Sequence, residues 1–411
     1  MRDFLEKLGK SRILKTVPGE VDPKFGLTDY LKNTEDAFLF RKLSGYKGVS
    51  IASNLITSRK RIAIALGCEE EQILPRINRA IEKPRQCRLV WDAPFMQSSC
   101  SLDEIPIPTY FRTDGGPYLT SALVIARDCD YGQNVSFHRM MKRKDHLVIR
   151  MLPRHTWEFY NRAKKDLNIA ICIGTNPAVL IAGAINTPIG VNELEIASAL
   201  NSKPLDAYDL NGIQVPAESE IVIEATITPD LEDEGPFVDI TRTMDYVRKQ
   251  PVVRIRKIHC RKNPIFHALL PGGYEHGAIW KTSTEAAMYN AIGKCCDCRD
   301  VFLSFGGCSR LHGMVKIRKR HSDDARKAID AAFMAHKSMK HVFIVDDDID
   351  IRNPAEIEWA MATRFQAKTD MVVMHDQKGS SLDPSSKDGI TSKLGFDCTI
   401  KGRKEDFRKL F

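Results

Sequence analysis

The run Glu220-Ile221-Val222-Ile223-Glu224-Ala225-Thr226-Ile227 belongs to a set of apolar stretches that decide the fold. Stretches of the same kind occupy residues 119–126, 146–150 and 168–174. Short runs rich in Ile, Val and Leu predict β-strands. The segments 154–165 and 192–200, which lie between these runs, predict helices. Several strands at these spacings, with helices inserted, predict a barrel-like sheet in the middle of the chain.

Outside this region the chain changes character on both sides. On the N-terminal side, Ile105-Pro106-Ile107-Pro108 predicts a domain edge. On the C-terminal side, helix and strand patterns alternate, as in α/β layers. Ser322 is predicted to cap a helix over 323–339, and Asn353-Pro354 to open another helix that ends near Phe365. Strands are predicted at 341–345 and 371–374.

The composition excludes several classes of protein. The 411 residues are 43% hydrophobic and 28% charged, which excludes a disordered or fibrous chain. The 61 Lys and Arg against 53 Asp and Glu give a net charge of +8, an excess too dilute to indicate a nucleic-acid partner by itself. The odd count of 11 cysteines argues against a complete disulfide framework.

We expect neither an export signal nor a membrane-spanning segment in this sequence. Met1-Arg2-Asp3 leads into a charged amphipathic stretch rather than a secretory signal. The longest uncharged stretch, 167–192, contains Pro177, Pro188 and Gly183, so a spanning helix is not expected there. We therefore expect a cytoplasmic protein with no membrane insertion.

A cysteine cluster is the first candidate for chemistry. Cys295, Cys296 and Cys298, followed by Cys308 and His312, have spacings that a zinc site accepts. The segment 301–305 between them is typical of a core strand, however, and this favours buried free thiols.

An acidic cluster is the second candidate. Asp346, Asp347 and Asp348 follow a hydrophobic strand, where carboxylates hold a divalent cation in sugar-nucleotide transferases. The alternative is a polar cluster that caps the next helix and pairs with Arg352.

Two basic runs are the third candidate. Residues 141–144 and 316–320 carry the positive charge that a nucleic-acid binder would use. No aromatic residues alternate with these charges, which favours a solvated face or a small phosphorylated ligand over a single-stranded nucleic acid.

A dispersed set is the fourth candidate. Asn134, His155 and Glu224 offer an amide carbonyl, an imidazole and a carboxylate, a mixed donor set that suits Mn²⁺ or Mg²⁺. Each residue also has an ordinary structural interpretation, and spacing alone does not rank this set above the other three.

An ordered series of motifs resembles the UbiD family of reversible decarboxylases over most of the chain. The series is Asp114-Gly115-Gly116-Pro117, Asn134-Val135-Ser136-Phe137-His138-Arg139, Glu234-Gly235-Pro236-Phe237, Val345-Asp346-Asp347-Asp348, Ser380-Ser381-Leu382-Asp383-Pro384 and Ser392-Lys393-Leu394-Gly395. Within this resemblance the acidic cluster becomes a family signature rather than a metal site.

The resemblance implies a prenylated FMN bound through its phosphate to Mn²⁺ (or Mg²⁺) and K⁺. Asn134, His155 and Glu224 would hold the divalent ion, and Ser136, Arg139, Arg154 and Lys393 would also contact the cofactor. The cofactor is needed because loss of CO₂ from an alkenyl or aryl carbon leaves a carbanion that no ordinary side chain delocalises.

The resemblance also implies three catalytic residues. Arg139 would orient the substrate carboxylate, and Glu275 would protonate the carbon after CO₂ leaves. Many family members carry a second glutamate five positions earlier, where this chain has Leu270. Asp239 supplies the partner carboxylate in our prediction, with His276 as the alternative.

The predicted architecture is a mixed α/β fold in three parts. These are an N-terminal α/β segment (1–109), a central split β-barrel that binds the flavin (110–285) and a C-terminal α/β domain for oligomerisation (286–411). The expected partners are a flavin prenyltransferase and further copies of the chain.

The predicted activity is decarboxylation of an α,β-unsaturated or aromatic acid. The favoured substrate is trans-anhydromevalonate 5-phosphate, because the compact chain resembles the short archaeal-type family members. An aromatic acid of the 4-hydroxybenzoate type is the alternative. A nucleotide-sugar transferase and a nucleic-acid binder are the alternatives from other classes.

Overall fold

A computed structural model describes residues 1–407. The chain forms two compact units, Met1–Ile279 and a second that begins at Trp280, and helix α8 (Tyr274–Gly293) continues from one into the other. Residues 1–109 belong to the same unit as the barrel-like sheet, and the three-part division of the chain stays a prediction. No helix within residues 1–407 is both long enough and apolar enough to cross a bilayer.

The first unit contains the strands of four sheets. In chain order they are β1 (Leu14–Val21), β2 (Ala37–Leu43), β3 (Ser50–Ser53), β4 (Arg88–Val90), β5 (Ser98–Ser99), β6 (Tyr118–Leu119), β7 (Leu123–Asp128), β8 (Gly132–Phe137), β9 (Met140–Lys142), β10 (His146–Ile149), β11 (Leu167–Ile173), β12 (Asp206–Leu210), β13 (Ile213–Pro216), β14 (Ile221–Glu234), β15 (Phe237–Val238), β16 (Met244–Asp245), β17 (Arg248–Cys260) and β18 (Ile265–Ala268).

Seven helices precede α8 in this unit. They are α1 (Arg2–Lys10), α2 (Gly26–Leu31), α3 (Arg59–Leu66), α4 (Ile73–Glu82), α5 (His155–Arg162), α6 (Pro177–Gly183) and α7 (Glu193–Leu200). The helices predicted over 154–165 and 192–200 are present as α5 and α7.

The largest sheet is the predicted barrel-like one, and it curls into a half-barrel. Its order is β6-β9-β10-β17-β14-β11-β7-β8, with β5 paired to β17. The runs 146–150, 168–174 and 220–227 are confirmed as β10, β11 and β14. Alternate residues of β11 and β14, such as Ile171 and Ile223, are directly paired and fully buried, so the apolar pattern of the sequence becomes the packed interior.

A four-stranded sheet joins the beginning of the chain to the end of the barrel. Its order is β1-β2-β3-β18, and β3 and β18 run parallel, with Ser53 opposite Ala268. Parallel neighbours end at the same edge of a sheet. The loop that starts at Asn54 and the turn that starts at Leu269 are therefore brought side by side.

The second unit has the predicted α/β layers. Its strands are β19 (Asp297–Leu303), β20 (His312–Arg318), β21 (His341–Val345), β22 (Met371–Lys378) and β23 (Ile390–Cys398), in the order β19-β20-β21-β23-β22. Its helices after α8 are α9 (Asp324–Ala335), α10 (Pro354–Arg364) and α11 (Ala367–Asp370).

The predicted caps of two of these helices have different outcomes. Asn353 caps α10 as predicted, because its side chain accepts a hydrogen bond from the Ala355 amide. The prediction that Ser322 caps α9 is wrong, because Asp323 occupies the N-cap position. The carboxylate of Asp324 instead binds the backbone amides of Arg320 and His321, which places the helix start later in the chain.

Candidate active site

Asn134 and Glu193 form the centre of a buried polar cluster. The Asn134 Nδ2 on β8 donates to Glu193 Oε1 at 3.1 Å, and the Val135 amide donates to Glu193 Oε2 at 2.7 Å. The Thr187 hydroxyl also donates to Oε1, at 2.7 Å. Burial raises the pKa of Glu193 to about 7, against the effect of these hydrogen bonds. The first residue of α7 is thus a buried carboxylate rather than a surface acid.

The other side of Asn134 meets two hydroxyls. Its Oδ1 accepts from Ser136 Oγ at 3.2 Å and from Thr156 Oγ1 at 3.1 Å. Thr156 follows His155, which opens α5 and is half-buried, while Arg154 at the N-cap is exposed. Burial and the charge of Arg154 lower the pKa of His155, so its ring is neutral. An amide oxygen, a carboxylate and a neutral imidazole form a donor set that suits Mn²⁺ or Mg²⁺.

The structure separates Glu224 from this set. Asn134 pairs with Ala126 on β7, Ala126 with Ile169 on β11, and Ile169 with Ala225 on β14. Three strand spacings place β14 about 14 Å from β8, at ~4.8 Å per step. Glu224 is also on the opposite face of the sheet, because Ala225 shares the face of Asn134 and successive residues alternate. The structure therefore does not bring Glu224 together with Asn134, and a shared ion stays a prediction that this geometry does not favour.

Glu224 has partners of its own. Its Oε1 lies 2.6 Å from His259 Nε2, and its Oε2 accepts from Asn211 Nδ2 at 2.8 Å. The buried His259 ring also lies edge-on to Phe95. Glu224 thus forms a partly buried pair with His259 on the far face of the sheet.

Arg139 is held by three carboxylates. Its Nε and Nη2 donate to the two oxygens of Glu234, both at 2.9 Å. Nη2 also donates to Asp245 at 2.8 Å, and Nη1 donates to Asp239. Burial opposes the charge of this guanidinium, but the acids outweigh it and raise the pKa of Arg139. The structure thus brings together the two predicted catalytic residues Arg139 and Asp239, and it adds Glu234 and Asp245 to them.

Glu275 lies in a second buried group, at the edge shared by β3 and β18. The side chain is 1% exposed. Its Oε1 accepts from the amides of Leu55 and Ile56, both at 3.0 Å, and lies 3.1 Å from Nε2 of the fully buried His267. Its Oε2 is buried and has no hydrogen-bond partner.

The turn before Glu275 is packed against Asp239. Gly272 has a φ of +67°, and a Cβ at this position would lie 3.2 Å from the Asp239 carbonyl oxygen. The Gly272 amide donates to Nδ1 of His276 at 3.0 Å, so that ring nitrogen holds the turn. Leu270 is buried. Of the two alternatives for the partner of Glu275, Asp239 is the one whose carboxylate binds Arg139.

Lys393 lies in the second unit, on β23. Its Nζ donates to the Lys337 carbonyl at 2.6 Å and lies 5.3 Å from the ring centroid of Phe333. Both contacts are internal to that unit, and a contact of Lys393 with a cofactor phosphate stays a prediction.

The acidic cluster of the second unit is paired with arginines. Arg364 pairs with Asp346 and Asp348, and Arg318 pairs with Asp347, so the acidic cluster is neutralised by arginines. All eleven cysteines are free. Within residues 1–407, three His, Cys, Asp or Glu side chains come close enough to share an ion only at Asp128, Cys129 and Asp130, where Arg162 already pairs with both acids.

Comparisons with known proteins decide the family. The family models described as the N-terminal, Rift-related and C-terminal domains of 3-octaprenyl-4-hydroxybenzoate carboxy-lyase match residues 5–81, 88–274 and 277–398. The chain belongs to the UbiD family. The resemblance found in its motifs is thus confirmed, and the protein is a UbiD-family carboxy-lyase.

Individual relatives of this UbiD-family chain extend over its full length. It is 40% identical to the anhydromevalonate phosphate decarboxylase of Methanocaldococcus jannaschii, over 98% of each chain. The UbiD-class enzyme HmfF of Pelotomaculum thermopropionicum, solved in complex with FMN, is 38% identical with a TM-score of 0.96, over 100% of this chain and 96% of that one. An evolved dimeric form of HmfF in complex with prFMN has 36% identity and a TM-score of 0.91, over 100% and 98%.

Proposed function

We propose that this UbiD-family enzyme uses prenylated FMN to decarboxylate trans-anhydromevalonate 5-phosphate, giving isopentenyl phosphate and CO₂. The substrate rests on the relative that shares 40% identity over 98% of both chains. The chemistry rests on Glu275, a buried carboxyl group with one oxygen left without a partner. Such a group can give a proton to carbon away from bulk water.

We assign the buried polar cluster around Asn134 and Glu193 to binding the phosphate end of the flavin. Asn134, Glu193 and His155 would hold Mn²⁺ or Mg²⁺, which together with K⁺ would bind the cofactor phosphate. Ser136 supports this assignment, because its hydroxyl already lies 3.2 Å from Asn134 Oδ1. Arg154 and Lys393 would be further contacts to the cofactor. When bound, the prenylated flavin supplies the electron sink that the decarboxylation needs.

Arg139, held by three carboxylates, is the residue that we assign to the substrate carboxylate. A guanidinium whose Nε and Nη2 are fixed by Glu234 has a set orientation, and the planar fork suits a carboxylate. Asp239 accepts a hydrogen bond from Nη1 of Arg139. The substrate carboxylate would displace or reorient Asp239 when it binds to this nitrogen. Arg139 and Asp239 would therefore position the substrate, and Glu275 would protonate the carbon that has lost CO₂.

The same proposal includes the partners of the enzyme. A flavin prenyltransferase would supply the cofactor, the chain would self-associate, and the reaction would take place in the cytoplasm. An aromatic acid of the 4-hydroxybenzoate type is the alternative substrate, and it is to be compared with anhydromevalonate phosphate.

The test is CO₂ release by protein co-expressed with a flavin prenyltransferase. We expect turnover of anhydromevalonate phosphate, little turnover of 4-hydroxybenzoate, and loss of activity in Glu275→Gln with the flavin absorbance retained. Turnover of only the aromatic acid would overturn the substrate and keep the reaction class. Full activity of Glu275→Gln would remove Glu275 from the reaction.

A further inference from the structure

The two oxygens of Glu275 have different surroundings. Oε1 is within hydrogen-bond distance of three N–H groups or ring nitrogens, from Leu55, Ile56 and His267. Oε2 is buried and has none. A carboxyl oxygen has two lone pairs, so Oε1 is saturated by its donors and has no room for a proton.

The same geometry fixes the protonation of His267. Because Oε1 already accepts two backbone N–H groups, it cannot donate to the ring, so Nε2 must carry a hydrogen. The His267 Nδ1 is buried without a partner. A hydrogen on Nδ1 would make the ring a cation with an unpaired buried N–H, which is costly. The neutral ring protonated on Nε2 is therefore the favoured form.

We infer that Oε2 of Glu275 is the atom that carries and delivers the catalytic proton, and that His267 is a positioning residue that reserves Oε2 for this task. This inference rests on the proposed function. The Leu55 and Ile56 amides also occupy Oε1 and leave Oε2 for the proton. They belong to the backbone, however, and cannot be removed by substitution. His267 is the one side chain among the three partners of Oε1.

The proton transfer balances as follows. The bond between the substrate carbon and its carboxylate breaks, CO₂ leaves, and the electron pair stays with the carbon. The O–H bond at Oε2 then breaks and a C–H bond forms at that carbon. Glu275 is left as a carboxylate, whose charge is stabilised on Oε1 by the three donors, and it regains its proton from water.

The first test compares His267→Ala and His267→Gln in the flavin-loaded enzyme. The alanine variant should lower kcat by on the order of tenfold or more with little change in KM, since the inferred role of His267 is to position Glu275 and not to bind substrate. The glutamine variant keeps an N–H donor at the place of Nε2 and should restore most of kcat. Unchanged kcat in His267→Ala, or equal losses in both variants, would overturn the positioning role.

The matched control is a second His–Glu pair, which is partly buried. His259 lies 2.6 Å from Glu224 on the far face of the main sheet and is also almost fully buried. His259→Ala should lower the melting temperature but leave kcat unchanged. A loss of kcat in His259→Ala equal to that in His267→Ala would mean that removing any such imidazole has this effect, and it would overturn the inference.

The second test needs neither flavin nor substrate. In protein labelled with ¹⁵N-histidine, the His267 signal, assigned by its loss in His267→Gln, should show a protonated Nε2 and a bare Nδ1. A ring protonated on Nδ1, or on both nitrogens, would overturn the inference. A wild-type enzyme that does not turn over anhydromevalonate phosphate would refute the proposed substrate, while this spectrum would still decide the role of His267.

Discussion

Asn134 and Glu193 share a 3.1 Å hydrogen bond across 59 positions of sequence. The contact forms because the N-terminus of α7 is placed against β8, where the Val135 amide and the Thr187 hydroxyl complete the environment of the carboxylate. A buried acid that contacts the side chain of Asn134, whose Oδ1 is a further oxygen donor, is a candidate to share a cation with that side chain.

Replacement of Glu193 should therefore weaken metal binding. We expect Glu193→Gln to bind Mn²⁺ at least about tenfold more weakly than the wild type, since even outer-shell changes cost that much. Isothermal titration of the flavin-free protein with Mn²⁺ measures the effect. Glu224→Gln is the matched control, because it makes the same change in a carboxylate on the other face of the sheet, and it should leave the affinity unchanged. The reverse order would restore Glu224 as the ligand.

Replacement of Arg139 by lysine should destabilise the first unit. A lysine keeps the charge but cannot bind both oxygens of Glu234, which is fully buried. We expect a loss of about 1–3 kcal/mol, measured by urea unfolding of the flavin-free protein. Arg88→Lys, in the exposed pair with Asp206, should cost much less than Arg139→Lys, because solvent screens an exposed ion pair. Similar losses in the two variants would mean that the buried cage is no stronger than a surface pair.

Gly174 at the end of β11 should not accept a side chain. Its φ is +71°, and a Cβ there would lie 2.7 Å from Glu220 Cγ and 3.0 Å from the Ile265 carbonyl oxygen. Gly132 has a similar φ of +74° with nothing within 4 Å of the added Cβ. Gly132→Ala therefore reports backbone strain alone, on the order of 1 kcal/mol.

Gly174→Ala should destabilise the protein more than Gly132→Ala, because only the added methyl group at Gly174 meets neighbouring atoms. Arg2, Arg261 and the Ile265 amide fix the Glu220 side chain, so it cannot move aside for a methyl group. We expect Gly174→Ala to cost about 1–3 kcal/mol more than Gly132→Ala, seen as a lower melting temperature. Equal melting temperatures would show that the β11 end relaxes freely.

His341 should make the second unit sensitive to acid. Burial, His312 and Lys340 lower the pKa of His341 to about 4, while Asp383 opposes this. A histidine in the unfolded chain titrates near ~6.5. Between these values the unfolded state binds more protons than the folded state, so stability falls as the pH falls through this window.

The change in melting temperature between about pH 7 and about pH 5 measures this effect. His341→Asn removes the titrating ring and should reduce that change. His321→Asn, which alters an exposed histidine in the same unit, should leave it as in the wild type. An unaltered change in His341→Asn would exclude His341 as the acid-sensitive group.

Local patterns predicted the strands and helices well where a single apolar run makes the element. The runs that became β10, β11 and β14 are examples, and so is the Asn353 cap. The predicted strand over 119–126 is instead divided into β6 and β7. Side-chain hydrogen bonds from Thr120 to the Leu269 carbonyl and from Ser121 to the His267 carbonyl tie the intervening residues to the end of β18. Those bonds depend on tertiary structure, and no local pattern contains them.

The candidate metal ligands show the same limit of prediction from sequence. Asn134, Arg139, Asp239 and Glu275 were found through motifs, but Glu193 follows the helix cap Asn192 and resembles an ordinary first-turn acid. Glu224 is predicted as a metal ligand from the sequence, where it is a charged residue within an apolar strand. Its face of the sheet and its distance from β8 depend on strand pairing, which the sequence alone does not specify.

The hydrogen bonds from the Leu55 and Ile56 amides to Glu275 have a consequence for recombination among relatives. Glu275 and the loop that holds its carboxylate lie about 220 positions apart, at the ends of two neighbouring parallel strands. In a chimaera that joins residues 1–109 of one relative to the remainder of another, Glu275 would come from one parent and the loop that binds it from the other. Segments 53–56 and 267–275 must therefore be inherited, or exchanged by an engineer, as a single unit.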